Sequence, residues 1–392
     1  MTLASVDLTA IRAALASGAE AVDASGRFPV ESLRVLRSSG LFGLLVPREY
    51  GGLGGTYRDL VDVAYTLAGG CLNTAFIWSM HCQQVVVLAN YAPEPLKAHV
   101  LPRIASGDLY IASVTTGLVT GGSVLSSEHA LRVDGSLITI DRPAPIVTGA
   151  AHADCFLLTM RAGEGSPETA VRFVYADRSQ VEVEIQGDWA GLGMRGSASV
   201  PCTVRGTVPP EQVVTDATST RSAILQHFVP AGHLGWSACW LGAARQALHD
   251  VVKHHGRVST RTVSDLRLAE LARARLELEL AAGYLHHVAD HVVTAHEAGR
   301  DLGAPASQIE LNAVKVASSE LCYSAVDRLI AFVGLDGGYQ TTGAARLERH
   351  FRDLRSASLN YGNDRLISSI AALTLLDRRV SLPFDPEAGT SA

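Results

Sequence analysis

The sequence predicts an α+β chain in three consecutive parts: helices, a compact β region, then a second helical set. Three observations carry this. At the start, Leu8, Ile11 and Leu15 recur at i, i+3, i+7, the spacing of one face of an amphipathic helix. In the middle the period falls to two: Val181-Glu182-Val183-Glu184-Ile185 alternates strictly, giving one dry and one wet face. Beyond residue 220, Ala-, Leu- and Glu-rich runs such as 268–282 return with strong intrinsic helix preference.

The first part, residues 1–110, opens with that helix. Pro29 suits the start of a second helix and Gly40 its stop, with Val30, Leu33 and Leu36 on its apolar face. Leu44-Leu45-Val46-Pro47 then runs into Tyr50-Gly51-Gly52-Leu53-Gly54-Gly55, and helix resumes over 57–103 with a continuous apolar stretch at 74–89. The second part, 111–213, holds a hairpin at Arg132-Val133-Asp134-Gly135-Ser136-Leu137, read with a two-residue Asp-Gly turn. Further strands fall at 155–160 and 171–175, and Pro209-Pro210 closes the part. The third part, 214–382, offers helices at 221–255, 264–299, 305–333 and 363–378, with Gly337-Gly338 breaking the pattern before the last. Residues 383–392 read as a tail, and no fixed-period repeat is present.

Composition narrows the function. Of 392 residues, 47% are hydrophobic and 18% charged, which excludes a disordered chain. A net charge of −6 argues against a dedicated nucleic-acid binder, which needs a basic face. So little charge on so much helix points to surface covered by an oligomer, a cofactor, or both. No run reaches the ~18 apolar residues of a membrane span, and Asp7, Arg12 and Glu20 interrupt any signal-peptide core. The six cysteines form no C-x-x-C pair and read as buried thiols, so cytoplasmic residence is the expectation.

Two motifs read as structure rather than chemistry. Gly191-x-Gly193-x-x-Gly196 matches the dinucleotide fingerprint in form, but Ser197-Ala198-Ser199-Val200-Pro201 follows it, strand-like where a helix must open. His287 and His291 stand one helical turn apart, yet no third ligand has suitable spacing, so no metal site is assigned. No G-x-S-x-G elbow and no phosphate-binding Gly-Lys-Ser/Thr occurs.

Three other stretches are more specific. They are Gly40-Leu41-Phe42-Gly43-Leu44-Leu45-Val46-Pro47-Arg48-Glu49-Tyr50-Gly51-Gly52; Thr148-Gly149-Ala150-Ala151-His152-Ala153-Asp154 followed by Trp189-Ala190-Gly191-Leu192-Gly193-Met194-Arg195-Gly196-Ser197; and Gly337-Gly338-Tyr339 with Arg352-Asp353. In this order they resemble the acyl-CoA dehydrogenase superfamily of flavoenzymes, over about residues 28–378. The resemblance implies an N-terminal helical domain, a middle β-barrel and a C-terminal four-helix bundle, with flavin between barrel and bundle. It also implies a homotetramer or homodimer, and FAD as cofactor with FMN as the alternative. Family chemistry removes an acyl-thioester α-proton with a carboxylate and passes the β-hydrogen to flavin as hydride. A related branch uses reduced flavin and oxygen to hydroxylate its substrate.

Carried over residue by residue, the resemblance assigns flavin contacts to Thr115, Ser123, Thr148, Gly337, Gly338 and Asn363. It places His81, Arg195 and Trp236 toward substrate, although core packing explains His81 and Trp236 as well. The departures concern the base. Tyr361-Gly362-Asn363 stands where the family has Glu-Gly-Thr, and the alternative position, Ile224-Leu225-Gln226-His227-Phe228, has no carboxylate. The family's Arg-x-x-Phe-Gly loop is also lost, with Arg257 its remnant. A tyrosine of pKa about 10 is a poor base near neutral pH. Tyr361 activated by Arg365, or His227 or His233, therefore remain the candidates. The expected activity is flavin-dependent oxidation of an acyl thioester on CoA or a carrier protein, in a specialised pathway, with an electron-transfer partner. The alternatives are a monooxygenase fed by a flavin reductase, and a non-catalytic family member.

Overall fold

The computed structural model describes residues 2–117, 124–255 and 263–382. Five helices lead: α1 (Leu8–Ser25), α2 (Val30–Ser38), α3 (Tyr57–Ala68), α4 (Leu72–Tyr91) and α5 (Glu94–Ala105). Local chemistry sets their ends. The Asp7 carboxylate caps α1 by accepting from the Ala10 N–H at 2.9 Å, and Gly26 at φ +64° stops it. Thr56 and Asp59 form a capping box that starts α3, and Cys71 precedes α4, so the single helix expected over 57–103 is three. α4 is buried on nearly every side, which explains its unbroken apolar run.

Among the described residues seven strands follow: β1 (Ile111–Val114), β2 (Arg132–Asp134), β3 (Leu137–Thr148), β4 (Cys155–Arg161), β5 (Val171–Asp177), β6 (Val181–Ile185) and β7 (Ser199–Val208). The expected hairpin is present, one residue out of phase. Asp134 pairs with Leu137, so the turn is Gly135-Ser136, with Gly135 at φ +60°. The described strands form two sheets, β1-β4-β5 and β2-β3-β7-β6, rather than the closed barrel the resemblance implied. β1 and β4 are parallel, whereas the other neighbours are antiparallel. β2 is three exposed residues at a sheet edge, too short to close a ring, and Pro143 and Pro145 leave β3 short of donors.

The remaining described residues are largely helical: α6 (Ser219–Ser222), a π-helical turn (Ala223–Phe228), α7 (Val229–His255), α8 (Asp265–Glu297), α9 (Pro305–Val333), a second π-turn (Leu335–Tyr339), α10 (Leu347–Arg355) and α11 (Asn363–Thr374). Three long helices, α7, α8 and α9, pack on one another. α10 and α11 lie against α9, while α3 and α4 press on α7. The anticipated separate set of four is thus an arrangement of three long and two short helices, sharing its core with the N-terminal ones. All six cysteines are free and buried. Among the described residues no helix is long and apolar enough to cross a membrane.

Candidate functional site

The sheets meet the helices at a cavity of about 240 Å³. Thr115, Thr148 and Ser199 line one side, Phe76 and Met80 of α4 another, and Leu359 and Asn360 a third. Among the described residues that line it, none is a carboxylate. Strand register brings the hydroxyls together. Thr148 pairs with Ser199 across β3 and β7, placing Oγ1 and Oγ 2.9 Å apart, and the Ser197 Oγ lies 2.8 Å from that of Ser199. The Tyr110 hydroxyl donates to the Thr148 carbonyl at 3.0 Å and fixes this strand end.

Tyr361 follows the cavity residue Asn360 directly and adopts φ +54°, the left-handed region that bulky side chains avoid. Its ring lies 5.7 Å from that of His233, edge-on, and 5.9 Å from Trp236. The Arg365 guanidinium sits 4.4 Å from the Tyr361 ring centre. Burial raises the phenol above its ordinary value, opposed by Arg365 and the Val124 backbone, so the hydroxyl is neutral at physiological pH. Phe76 joins this cluster to the cavity, stacking 6.0 Å from Trp236.

His233 is the better-placed acceptor. Its Nδ1 lies 2.9 Å from the Leu311 carbonyl, which can only accept, so Nδ1 carries the proton. Burial drives its pKa down to about 3, opposed by that hydrogen bond. The neutral ring therefore presents a lone pair at Nε2, which is buried without a partner, as is the Trp236 Nε1–H. One unmet acceptor and one unmet donor thus lie on two rings whose centres are 5.9 Å apart.

Other predicted residues fall elsewhere. His227, in the first π-turn, meets the Tyr57 hydroxyl at 2.9 Å and the His296 ring at 4.8 Å. His227 and His296 line a wider cleft of about 880 Å³ with Arg221 and Arg300, which His233 does not border. Burial lowers the His227 pKa to about 4. His81 uses both ring nitrogens structurally, accepting from Ile111 N–H at 3.2 Å and donating to the Phe42 carbonyl at 3.1 Å. Arg195 contributes to the positive charge around Asp23 rather than to the cavity. Asn363 is committed to α9, donating to Ser319 Oγ and Glu320 Oε1, both at 3.0 Å. Gly337 and Gly338 form the second π-turn, beside Val333 and Ile330. Ser123 and Arg257 lie outside the described residues. His287 and His291 both pair with Glu310, yet among the described residues no group of three or more such side chains is arranged to hold a metal.

Two features escaped sequence reasoning. Lys315 of α9 is fully buried, a signal hidden because one lysine in a helix looks solvent-facing. The second is what the glycine-rich stretch does. A Cβ at Gly193 would fall 1.9 Å from the Arg352 carbonyl oxygen. The Met194 N–H donates to Asp353 at 2.5 Å, and Asn73 meets both Asp353 (3.3 Å) and the Gly196 N–H (3.0 Å). These glycines lie between β6 and β7, where a turn between strands was expected, and Gly193 also allows a close approach to α10.

Family models for the acyl-CoA dehydrogenase N-terminal domain and C-terminal domain match residues 9–108 and 234–363. The chain belongs to the acyl-CoA dehydrogenase family. Among its relatives, a putative acyl-CoA dehydrogenase YdbM of Bacillus subtilis is 26% identical, covering 89% of this chain and 91% of its own. A dibenzothiophene monooxygenase of Rhodococcus erythropolis is 24% identical over 58% of this chain and 55% of its own. The fold is shared with dibenzothiophene monooxygenase TdsC of Paenibacillus sp. A11-2, at 19% identity, TM-score 0.81 and coverage of 95% and 96%. It is shared equally with butyryl-CoA dehydrogenase of Megasphaera elsdenii, at 16% identity, TM-score 0.81 and coverage of 94% and 97%. Acyl-CoA dehydrogenase family membership thus spans both kinds of chemistry anticipated from the motifs.

Proposed function

We propose that this chain is a flavin-dependent oxidoreductase whose cavity holds the flavin ring and whose Tyr361, His233 and Trp236 cluster meets the substrate. The observation that carries this is the lining: the Thr115, Thr148 and Ser199 hydroxyls on one side, and the buried, unpartnered Asn360 Nδ2 on another. An unmet buried donor costs about 1–3 kcal/mol, and the flavin ring edge offers the acceptors that relieve it. FAD is the expected form. FMN is the alternative, and an FMN-bound TdsC shares the fold. The Gly337-Gly338 turn, away from the cavity residues, suits contact with the cofactor of a neighbouring subunit in a homo-oligomer.

Of the two reactions, the site favours oxygenation. With a neutral Tyr361, a His233 that burial holds at a pKa of about 3 and no carboxylate among the described residues of the cavity wall, α-proton removal from a thioester lacks its base. Reduced flavin with oxygen supplies one oxygen atom to the substrate and leaves the other as water. In this reading the neutral His233 Nε2 accepts a hydrogen bond from the substrate, and Trp236 Nε1 donates to a substrate acceptor. A flavin reductase is the implied partner. Thioester oxidation is the second reading, favoured by the near-full-length relative named an acyl-CoA dehydrogenase.

The purified protein separates the two. Oxygenation predicts that reductase, reduced nicotinamide and labelled oxygen together place one labelled atom in the product. Thioester oxidation predicts that acyl thioesters bleach oxidised flavin without air. A protein that binds neither FAD nor FMN overturns both and leaves the non-catalytic reading.

A further inference from the structure

We propose that Lys315 is a positioning residue that holds the Tyr361 turn in register with His233. Lys315 has no exposed surface, and its Nζ donates to the Ala357 carbonyl at 3.1 Å and to Asn363 Oδ1 at 2.7 Å. Those two acceptors bracket Tyr361 on either side in sequence. The bracket is needed because Tyr361 and Gly362 both adopt positive φ, +54° and +23°, and a bulky residue persists there only where its surroundings over-determine it. The third face of the ammonium is covered by Trp240 of α7, whose ring centre lies 5.5 Å away.

The same helix holds the other half of the cluster. Leu311, one turn before Lys315 on α9, is the carbonyl that fixes His233 in its Nδ1–H tautomer. α9 therefore sets both partners: His233 through a backbone acceptor, Tyr361 through a buried lysine amine. Burial lowers the Lys315 pKa to about 7, and in its charged form the amine disfavours a proton on His233. Asn363 completes the clamp by binding Ser319 and Glu320 of α9. A lone lysine buried merely for stability would not need to bridge the two ends of one strained turn.

The inference rests on the proposed oxidoreductase reading only for its kinetic readout. The test places 3-fluorotyrosine at position 361 of the full chain and records its fluorine resonance in the parent, in Lys315→Met and in Asn363→Ser. We expect one resonance in the parent, displaced or split in both variants, with the double variant no further displaced than either single one. Where a substrate turns over, kcat falls at least tenfold in both variants while KM stays within twofold. An unmoved resonance in the folded variants overturns the proposal. So does a displaced resonance with unchanged kcat, or a lowered melting temperature as the only effect. If Lys315→Met does not fold, the milder Asn363→Ser carries the decision. If the parent oxidises nothing, the resonance still decides the clamp, and the failure belongs to the functional reading.

Discussion

At His233, one hydrogen bond determines what the residue can do. The Leu311 carbonyl claims the Nδ1 proton, so Nε2 is left as an acceptor with nothing to accept from. Replacing His233 by Ala removes that acceptor and leaves the Thr148–Ser199 hydroxyl pair untouched. In the oxygenation reading kcat should then fall by about tenfold, the worth of one hydrogen bond to the substrate, while flavin titration gives an unchanged Kd. A kcat within threefold of the parent would remove His233 from the mechanism. The sequence marked Tyr361 and His233 as candidates because the family motifs fix where the base should stand. It could not rank them, since tautomer and burial depend on Leu311, 78 residues away. His227 looked equivalent on spacing, yet the π-turn carries it toward Tyr57 and His296 instead.

Among elements, legibility followed periodicity. α1 and β6 fall where apolar spacing placed them, because burial on one face is what that spacing encodes, and α9 spans the expected 305–333. α10 was missed although Leu347 and Leu354, its buried leucines, and Phe351 stand at helical intervals; nine residues rich in charge dilute the signal. Strand pairing was not legible, since alternation defines a strand's faces but not its neighbour. The glycine-rich loop before β7 shows the same limit: the motif is visible, its contact with α10 is not. That contact makes a sharp expectation. Gly193→Ala puts a methyl into the Arg352 backbone, so urea denaturation should show a loss of about 1–3 kcal/mol, as for other overpacked sites. A loss below about 0.5 kcal/mol would mean the loop gives way freely.

For the whole molecule, buried histidines govern the response to acid. Burial lowers His81, His233 and His350 to about 3 and His227 to about 4. In the unfolded chain each titrates near 6.5, so between those values the unfolded state binds more protons. Their contribution to stability is complete above pH ~6.5 and is lost as pH falls. Asp353, raised to about 6 chiefly by burial, acts in the opposite sense, as do Glu348 and Asp62. The histidines have the larger shifts, so melting temperatures at pH 5 should lie below those at pH 7.5. A melting temperature that rises on acidification would show the carboxyls to dominate.

The contacts around Asp353 join residues far apart along the chain. Asp353 reaches Asn73 across 280 positions and Met194 across 159, and its neighbour Arg352 pairs with Asp23 across 329. Each such contact closes a very long loop, and the entropy of closure is spent before any bond repays it. The knot therefore belongs to the end of folding rather than its start. A nascent chain cannot make it until α10 has left the ribosome, and until then the Gly193 loop has nothing to lie against.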